Sequence, residues 1–347
     1  MNGAFPTVRM NMGDGDRILL AHGGGGQLSR ELIDREIVSR FGDGPLKGLP
    51  DGATVPVAGS EVVFTTDSFV VQPIEFPGGN IGDLAVHGTV NDLAVCGAKP
   101  RWLSLGLILE EGVELDLLRR VLDSIKTAAD DSGVVVATGD TKVVARGQCD
   151  GMFINTAGIG DKLPGFELSP ETLQEGDHIL VSGPIADHGF AVLASRENIH
   201  IQNGPQSDSA PVHRLVQAAT EHAGEVRFMR DPTRGGLASV LNEMVEGADV
   251  GIQIMEESIP ISSGAHAVSE LLGLDPLHVA SEGRMLMVCS ADAASVLLAA
   301  WQAMPEGSGA KDIGAVTTEA GRVVLETLMG GHRLVDVPRG ELLPRIC

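Results

Sequence analysis

The sequence predicts a two-domain protein of the α/β or α+β class. Its 347 residues exceed the usual size of one domain, and 43% of them are hydrophobic, which is enough to form buried cores. Segments with the spacing of strands alternate with segments with the spacing of helices, and glycine-rich loops separate them. This alternation favours layered domains in which helices cover sheets.

Breaks in the alternation predict the boundaries of the parts. We expect a flexible leader over residues 1–18, an N-terminal domain over 19–165, a linker over 166–176, a C-terminal domain over 177–337 and a mobile tail over 338–347. The linker contains proline and acidic residues and has neither the helical nor the strand period.

In the first half, apolar residues at helical spacing predict a helix after residue 26, a helix over 80–97 capped by Asn80, and an amphipathic helix over 114–131. Runs of β-branched and apolar residues predict strands over 60–71, 101–109, 134–138 and 152–158. We expect the strand over 134–138 to be buried and to end in a tight turn at residues 139–142.

The second half repeats the alternation. Its predicted strands lie at residues 177–182, 226–229, 250–255, 284–289, 312–317 and 322–326. Its predicted helices lie at residues 184–196, 211–223, 235–246, 262–272 and 291–303.

Charge and composition exclude several function classes. The 25 lysines and arginines stand against 47 acidic residues, so the net charge of −22 repels nucleic acid and anionic membranes. Only 3% of the residues are aromatic, and no apolar run approaches membrane-spanning length. Cys96, Cys149 and Cys289 lie far apart in apolar surroundings, which argues against a disulfide framework and favours a reducing cytoplasm.

Four consecutive glycines precede the first predicted helix: Gly23, Gly24, Gly25 and Gly26. Such a run at a helix N-terminus presents free N–H groups and the positive end of the helix dipole, which suits a phosphate group. The spacing matches neither a Walker A motif nor the dinucleotide-binding fingerprint. A flexible hinge explains the run equally well.

Acidic residues recur at the ends of predicted strands and helices, namely Asp67, Asp92, Asp140 and Asp231. If the fold gathers several of them, their repulsion requires a cation, and oxygen ligands without histidine or cysteine favour Mg²⁺. Lys142 would then complete, with the glycine N–H groups, a site for the phosphates of ATP. Taken one at a time, each aspartate is more often the cap of a turn.

The chain ends in Cys347, at the tip of a segment (338–347) that contains two prolines and a glycine. These residues disfavour a helix or a central strand. Fully extended, the segment reaches about 30 Å, so its thiol can move between two places. A frayed terminus that happens to end in cysteine is the alternative.

Several short phrases occur along the chain in the order typical of one family. They are Ala-His22-Gly-Gly-Gly-Gly, Thr-Thr-Asp67-Ser, Pro77-Gly-Gly-Asn-Ile-Gly, Gly88-Thr-Val-Asn-Asp92-Leu-Ala, Gly139-Asp-Thr-Lys-Val-Val, Phe153-Ile-Asn-Thr-Ala-Gly, Arg230-Asp-Pro-Thr-Arg-Gly-Gly and the final Pro-Arg-Ile-Cys347. With them the chain resembles the HypE family of hydrogenase maturation proteins. The final phrase is the most specific signal, and the glycine run departs from the family's common Gly-Ser-Gly-Gly.

The resemblance implies a two-domain fold of the aminoimidazole ribonucleotide synthetase type. In such a fold the N-terminal domain pairs with its twin in a homodimer to form a β-barrel. A C-terminal α+β domain packs beside it, and an extended tail follows. ATP is expected in a cleft that the two domains share.

The resemblance also implies a reaction. The partner HypF carbamoylates the thiol of Cys347, and the chain uses ATP to dehydrate the thiocarboxamide to a thiocyanate. The cyano group then passes to iron held by a HypC–HypD complex, for the active site of [NiFe]-hydrogenase. Two other functions stay open: a small-molecule ATP-dependent kinase or synthetase of the same superfamily, and a non-catalytic maturation scaffold.

Roles for individual residues follow from the resemblance. Lys142 would neutralise the developing phosphate charge, and Glu282 would remove protons. Mg²⁺ would be held by Asp67, Asp92 and Asp140, with Asp231 as a further candidate, while Asn91 and His87 would contact the tail or the phosphate. A base at Glu282 needs a carboxyl pKa raised by burial, which we expect Arg284 to oppose. The terminal carboxylate should disfavour the thiolate of Cys347.

Overall fold

Two large β-sheets, each with helices packed on it, form most of the described structure, and residues 75–76 and 79–80 form a separate two-stranded sheet. The computed structural model describes residues 27–38, 51–57, 60–337, 343 and 345–347. The predicted leader and the glycines at 23–26 therefore lie outside the described residues. Within the described residues, no helix is long and apolar enough to cross a membrane.

The first half contains a five-stranded sheet. Its elements are α1 (Gln27–Leu32), continued by a π-helix (Ile33–Val38), β1 (Ala53–Val57), β2 (Ser60–Phe69), β3 (Glu75–Phe76), β4 (Gly79–Asn80), α2 (Ile81–Val95), β5 (Ala98–Glu110), α3 (Leu115–Ser132), β6 (Val135–Val144) and β7 (Met152–Lys162). The strand order is β1-β2-β7-β5-β6. Strands β5 and β6 pair in parallel, and the other neighbours pair antiparallel. Strands β1, β3 and β4 were not predicted.

Helix α2 is buried on nearly every side. The predicted cap is confirmed, because Asn80 Oδ1 accepts a hydrogen bond from Gly82 N at 2.8 Å and Asp83 Oδ1 accepts one from Asn80 N at 2.6 Å. The helix packs on β2, β5 and β7, on α3, and on the second half of the chain. Its polar residues Asn91 and Asp92 therefore lie where the two halves meet.

Strand β6 differs from the prediction in two ways. Residues 139–142 continue the strand to Val144 instead of forming a turn, and the side chains of residues 135–138 are exposed instead of buried. The physical reason is position, since β6 is the edge strand of the sheet and pairs with β5 alone among the described strands. Its β-branched residues favour an extended backbone whether the strand is buried or exposed.

The second half contains a seven-stranded sheet. Its elements are β8 (His178–Val181), α4 (Asp187–Arg196), α5 (His213–Ala218), β9 (Val226–Arg230), α6 (Gly236–Val245), β10 (Gly251–Met255), α7 (Ser263–Leu272), β11 (Leu286–Cys289), α8 (Ala291–Gln302), β12 (Lys311–Thr317), β13 (Val323–Glu326) and β14 (His332–Leu334). The strand order is β14-β13-β10-β12-β8-β11-β9. The predicted alternation is confirmed; β14 is additional, and α5 is shorter than predicted.

Helices cover both faces of this second sheet. Ile179 and Val181 of β8 belong to a core shared with α4, α6 and α7, whereas Leu180 belongs to a core on the other face with Trp301 of α8. A strand buried on both faces has no polar side to alternate with, which explains the continuous apolar runs of β8 and β11.

Candidate active site

Three carboxylates meet at the junction of the two halves. Asp51 precedes β1, Asp92 lies in the last turn of α2, and Asp231 directly follows β9. One carboxylate oxygen from each lies within 4.8 Å of the other two, and among the described residues this is the one such group of potential metal ligands. We call Asp51, Asp92 and Asp231 the acidic cluster.

Polar neighbours hold the acidic cluster in place. Arg230 Nε lies 2.8 Å from Asp51 Oδ2, and its guanidinium also pairs with Glu243. Thr65 Oγ1 lies 2.8 Å from Asp92 Oδ2 and 2.6 Å from the carbonyl oxygen of Asp51. The loop before β1, strand β2 and helix α2 are thus joined at this point.

Burial raises the carboxyl pKa values of the acidic cluster. The pKa of Asp231 rises to about 8, first through burial and then through the negative charge of Asp51. The pKa of Asp92 lies well above its usual range because of burial and the charge of Asp231. Burial also raises the pKa of Asp51, although Arg230 opposes the shift. A cation placed among these carboxyl groups would therefore ionise them.

The acidic cluster fits Mg²⁺. All three donors are carboxylate oxygens, which Mg²⁺ prefers, and no histidine or cysteine is part of the group. Burial is the main cause of the raised pKa values, and repulsion between carboxylates adds to it for Asp92 and Asp231; a divalent cation relieves this repulsion. Asp92 and Asp231 were expected to gather and lie together, whereas Asp51 was not among the expected ligands.

Asp67 lies beside the acidic cluster, near the end of β2. Its Oδ1 accepts a hydrogen bond from Ser68 N at 2.9 Å, and its charge raises the pKa values of Asp92 and Asp231. Burial raises the pKa of Asp67 itself, which Arg234 opposes. A side chain at Gly88 would lie 2.9 Å from the Phe69 ring, so glycine lets α2 approach β2 this closely.

The end of the tail lies in the cleft between the halves. Ile346 is buried in the core of the first half, which also includes Val192 and Ala280 from the second half. Arg234, in the loop before α6, donates a hydrogen bond from Nε to Cys347 Sγ at 3.2 Å. The thiol is therefore held against the same loop that contributes Asp231.

The thiol of Cys347 is held in its neutral form. Burial raises its pKa to about 12; the charge of Arg234 opposes this shift, while Glu282 and Asp67 add to it. The shift has the expected direction, with burial and not the terminal carboxylate as its main cause.

Glu282 is a buried carboxyl group that faces this pocket. The residue is 2% exposed, and no described residue hydrogen-bonds its Oε1. Burial raises its pKa well above the usual range, followed by the charges of Asp231 and Asp67. The cation that opposes this shift is Arg234, not the expected Arg284.

Arg284 is directed elsewhere. Its Nε donates to the carbonyl oxygen of Pro184 at 2.9 Å and lies 3.4 Å from Asp208 Oδ2. The expectation that Arg284 would counteract a base at Glu282 was therefore wrong. Glu282 and Arg284 are two residues apart in sequence, which suggested that their charges would lie close together. The backbone instead directs the two side chains to different partners.

The main chain of Glu282 is fixed on both sides. Asn91 Nδ2 donates to the carbonyl oxygens of Glu282 at 2.9 Å and Ala210 at 3.0 Å, and Asn91 Oδ1 accepts from Val212 N at 2.8 Å. Asp208 Oδ1 accepts from Glu282 N at 3.0 Å. Protein groups thus engage the whole Asn91 amide, which explains how a polar side chain is tolerated in the buried helix α2.

The remaining candidates, His87, Asp140 and Lys142, have other partners. His87 Nδ1 is 3.0 Å from Ser209 Oγ, and burial lowers its pKa to about 4. Asp140 and Lys142 lie on the exposed edge strand β6, where Lys142 Nζ is 3.4 Å from Asp140 Oδ2. Three strand spacings, roughly 14 Å, separate β6 from β2 and Asp67. Within the described part of one chain, the structure does not bring Asp140 and Lys142 to the acidic cluster.

The comparisons with known proteins agree with this architecture. Residues 50–161 match the model of the AIR synthase related protein, N-terminal domain, and residues 174–326 match that of the C-terminal domain. Carbamoyl dehydratase HypE of Bradyrhizobium diazoefficiens is 46% identical over 330 residues, which cover 94% of this chain and 95% of that protein. The chain belongs to the HypE family of carbamoyl dehydratases.

Solved HypE structures have the same fold. A crystal structure of a HypE–HypF complex has a chain 39% identical to this one with a TM-score of 0.84, covering 88% of this chain and 99% of that chain. A HypE crystal structure in complex with ATP is 43% identical with a TM-score of 0.80, covering 95% of this chain and 100% of that chain. The sequence resemblance to the HypE family is confirmed.

Three residues of the site were missed from the sequence. Arg234 lies inside the motif that starts at Arg230, after its aspartate and before its two glycines. This position was a signal that could have identified it. Asp51 precedes an unpredicted strand, and His188, which contacts the tail, belongs to a helix without a recognisable motif. Only the folded chain brings these last two to the cleft.

Proposed function

We propose that the chain dehydrates an S-carbamoyl group on its own Cys347 to a thiocyanate, with ATP as the second substrate, and thereby supplies cyanide ligands for [NiFe]-hydrogenase maturation. The observation that carries the proposal is the position of Cys347 Sγ, which is hydrogen-bonded to Arg234 and feels the charges of Glu282 and Asp67. Asp231 of the acidic cluster acts in turn on Glu282. The names of the relatives and the ATP-bound HypE structure support it.

The chemistry needs a better leaving group than an amide oxygen. Transfer of the γ-phosphoryl group from ATP to the carboxamide oxygen forms a carbon–oxygen–phosphorus linkage and releases ADP. Breaking the carbon–oxygen bond then releases phosphate, while the two protons of the nitrogen are removed and a carbon–nitrogen triple bond forms. The net change is the loss of one water from the carbamoyl group, whose oxygen leaves on phosphate.

Glu282 is our candidate for proton removal. Its carboxyl group is buried, its Oε1 is unengaged by the described residues, and its raised pKa brings it closer to the range in which a carboxylate is a useful base. Asn91 and Asp208 hold its main chain and so fix where that carboxyl group lies. Arg234 orients the sulfur that bears the carbamoyl group.

Asp51, Asp92 and Asp231 would hold Mg²⁺, with Asp67 beside them. Bound there, Mg²⁺ would neutralise phosphate charge during phosphoryl transfer. The glycine run Gly23–Gly26, which lies outside the described residues, remains our candidate for the phosphate loop.

A second copy of the chain would complete the site. The edge strand β6 exposes Val135 and Val143, and the same sheet exposes Trp102 and Phe64, so the described residues of one chain leave an apolar sheet surface uncovered. We propose that two copies pair through this sheet as a homodimer. Lys142 and Asp140 would then reach the cleft of the other copy and act there on ATP.

Mass spectrometry of the C-terminal peptide tests the reaction. We expect carbamoylated full-length protein to lose one water from this peptide when Mg·ATP is added, and Glu282→Gln protein to keep its carbamoyl group. HypF is the proposed carbamoylating partner, in line with the HypE–HypF complex, and a HypC–HypD complex the proposed acceptor. If the C-terminal peptide of wild-type protein retains its full mass after the added ATP has been consumed, the proposed dehydratase function is refuted.

Subunit mixing tests the shared site. Lys142→Ala and Glu282→Gln chains should each be inactive alone. A mixed dimer would contain one cleft with both intact residues, so random reassociation of equal amounts should restore about one quarter of the wild-type activity. If Lys142 acts within its own chain, mixing restores nothing. A Lys126→Ala chain, altered at an exposed lysine of α3, provides the active control.

A further inference from the structure

The described end of the tail, residues 345–347, pairs with residues 70–72 of the first half as a short β-strand does. Val70 N donates to the carbonyl oxygen of Cys347 at 3.2 Å, and Gln72 N donates to that of Arg345 at 3.3 Å. The tail therefore runs antiparallel to residues 70–72, a mode in which main-chain hydrogen bonds provide affinity for extended peptides.

Two side chains of α4 also bind the carbonyl oxygens of the tail. His188 Nε2 donates to the carbonyl oxygen of Ile346 at 2.9 Å, and Arg196 Nη2 donates to that of Arg345 at 2.7 Å. Arg196 also donates to the carbonyl oxygen of Gln72, from Nε at 2.9 Å and from Nη2 at 2.7 Å. We call His188 and Arg196 the carbonyl clamp.

The His188 part of the carbonyl clamp is fixed by the protein around it. His188 is 0% exposed, its Nδ1 lies 2.8 Å from Ser207 Oγ, and its ring centroid lies 5.3 Å from that of Phe76 in an edge-on arrangement. Because Nε2 faces a carbonyl oxygen, which only accepts, Nε2 carries the proton and Nδ1 accepts from the Ser207 hydroxyl. The donor is thus directed into the groove by groups that do not belong to the tail.

Side-chain recognition of the tail depends mainly on one residue. Ile346 is 4% exposed, whereas Arg345 lies at the rim, where it donates to Val70 O at 3.1 Å and pairs with Asp150. Arg345 has a φ of 56°, a backbone conformation that costs a non-glycine residue free energy and persists only where surrounding contacts maintain it. The groove therefore selects this shape of the tail.

We infer that the groove between residues 70–72 and α4 is a peptide-binding site that accepts the end of the tail as a separate molecule. Every contact described for residues 345–347 is made with side chains or main chain distant in sequence, so none depends on the covalent link to β14. The ligand class is an extended peptide with an apolar residue before a C-terminal cysteine. Dehydration of a bound peptide rests on the proposed function, whereas binding of the peptide does not.

The binding test uses the full-length chain with Ile346→Asp and Cys347→Ser, so that its own tail leaves the groove. The probe is a fluorescein-labelled synthetic peptide with the sequence of residues 341–347. We expect saturable binding of one peptide per chain by fluorescence anisotropy. A peptide with aspartate in place of the isoleucine should not bind, because it would bring an unpaired charge into an apolar pocket.

The carbonyl clamp is tested in the same background. His188→Phe and Arg196→Leu each remove a donor and should weaken peptide binding about fivefold or more, and His188→Gln, which retains a donor, should weaken it less. Arg119→Ala on the exposed face of α3 is the matched control. With S-carbamoyl peptide and Mg·ATP, the clamp variants should raise the KM for peptide and leave kcat near that of the control.

The outcomes separate this inference from the proposed function. Dehydration of the tail in wild-type protein, without saturable peptide binding to the tail-released chain, overturns the peptide site and leaves the function standing. Saturable binding, with wild-type protein that never dehydrates its own tail, supports the peptide site and overturns the function. If the clamp variants bind the peptide with the same affinity as the Arg119→Ala control, the positioning role of the clamp is overturned. Arg196 is half-exposed, so Arg196→Leu keeps the test informative if His188→Phe misfolds.

Discussion

His188 should make the stability of the protein depend on pH between pH 7 and pH 5. Burial lowers its pKa from the ordinary 6.5 to about 4, although its hydrogen bond to Ile346 opposes the shift. The unfolded chain therefore binds this proton near pH 6.5, whereas the folded chain binds it only near pH 4. The stability that the neutral ring contributes is fully present above pH 6.5 and is lost as the pH falls towards 4.

The two pKa values set the magnitude. From pH 7 to pH 5 the contribution of His188 to the free energy of unfolding should fall by about 2 kcal/mol. Urea unfolding of wild-type and His188→Gln protein at both pH values measures it. Burial also lowers the pKa values of His87 and His213 to about 4, but both residues are present in the two proteins, so their contributions cancel in the comparison.

We expect the wild type to lose about 2 kcal/mol more than His188→Gln on acidification to pH 5. The exposed His266 provides the control, since His266→Gln should follow the wild type. Equal losses in wild-type and His188→Gln protein would refute the reasoning, because they would mean that His188 takes up its proton as readily in the folded chain as in the unfolded one.

Three further predictions concern the cleft. Gly283→Ala should lower the free energy of unfolding by at least about 4 kcal/mol in thermal melts, because a Cβ there would overlap the carbonyl oxygen of Asp208; an unchanged melt would show that the loop relaxes. Asp92→Asn should weaken Mg·ATP binding about tenfold or more by calorimetry, and unchanged affinity would assign Asp92 to structure alone. Cys347, with a pKa near 12, should react with iodoacetamide at pH 8 at least about a hundredfold more slowly than a free cysteine, and Ile346→Asp should restore the rate; equal rates would mean that the tail is undocked.

The sequence predicted most elements because periodicity depends on local chemistry. The cap at Asn80 and the amphipathic pattern of α3 need no knowledge of distant residues, and both are confirmed. The prediction failed at β6, where a run of β-branched residues was read as a buried strand. Such a run specifies an extended backbone, but whether it lies at the centre or the edge of a sheet depends on strand order, which local sequence does not contain.

Residues of the site could be predicted from the sequence where they belonged to a recognisable motif. Asp92 and Asp231 were expected to lie together and do, whereas Asp51 comes from a loop without a motif. The neighbour of Glu282 was misjudged because proximity in sequence does not fix side-chain direction. Its electrostatic partner proved to be Arg234, which is 48 positions away in the numbering and adjacent only after folding.

The covalent attachment of the tail determines how strongly its groove has to bind. A short tether gives a tethered group an effective concentration on the order of 1 mM at its site. A separate peptide with a Kd of about 0.1 mM would then correspond to a tethered tail that is docked about ten times as often as it is free. Weak contacts such as a few main-chain hydrogen bonds and one buried isoleucine are thus sufficient for docking. Their weakness also lets another protein at ordinary concentration capture the thiol each time the tail is released.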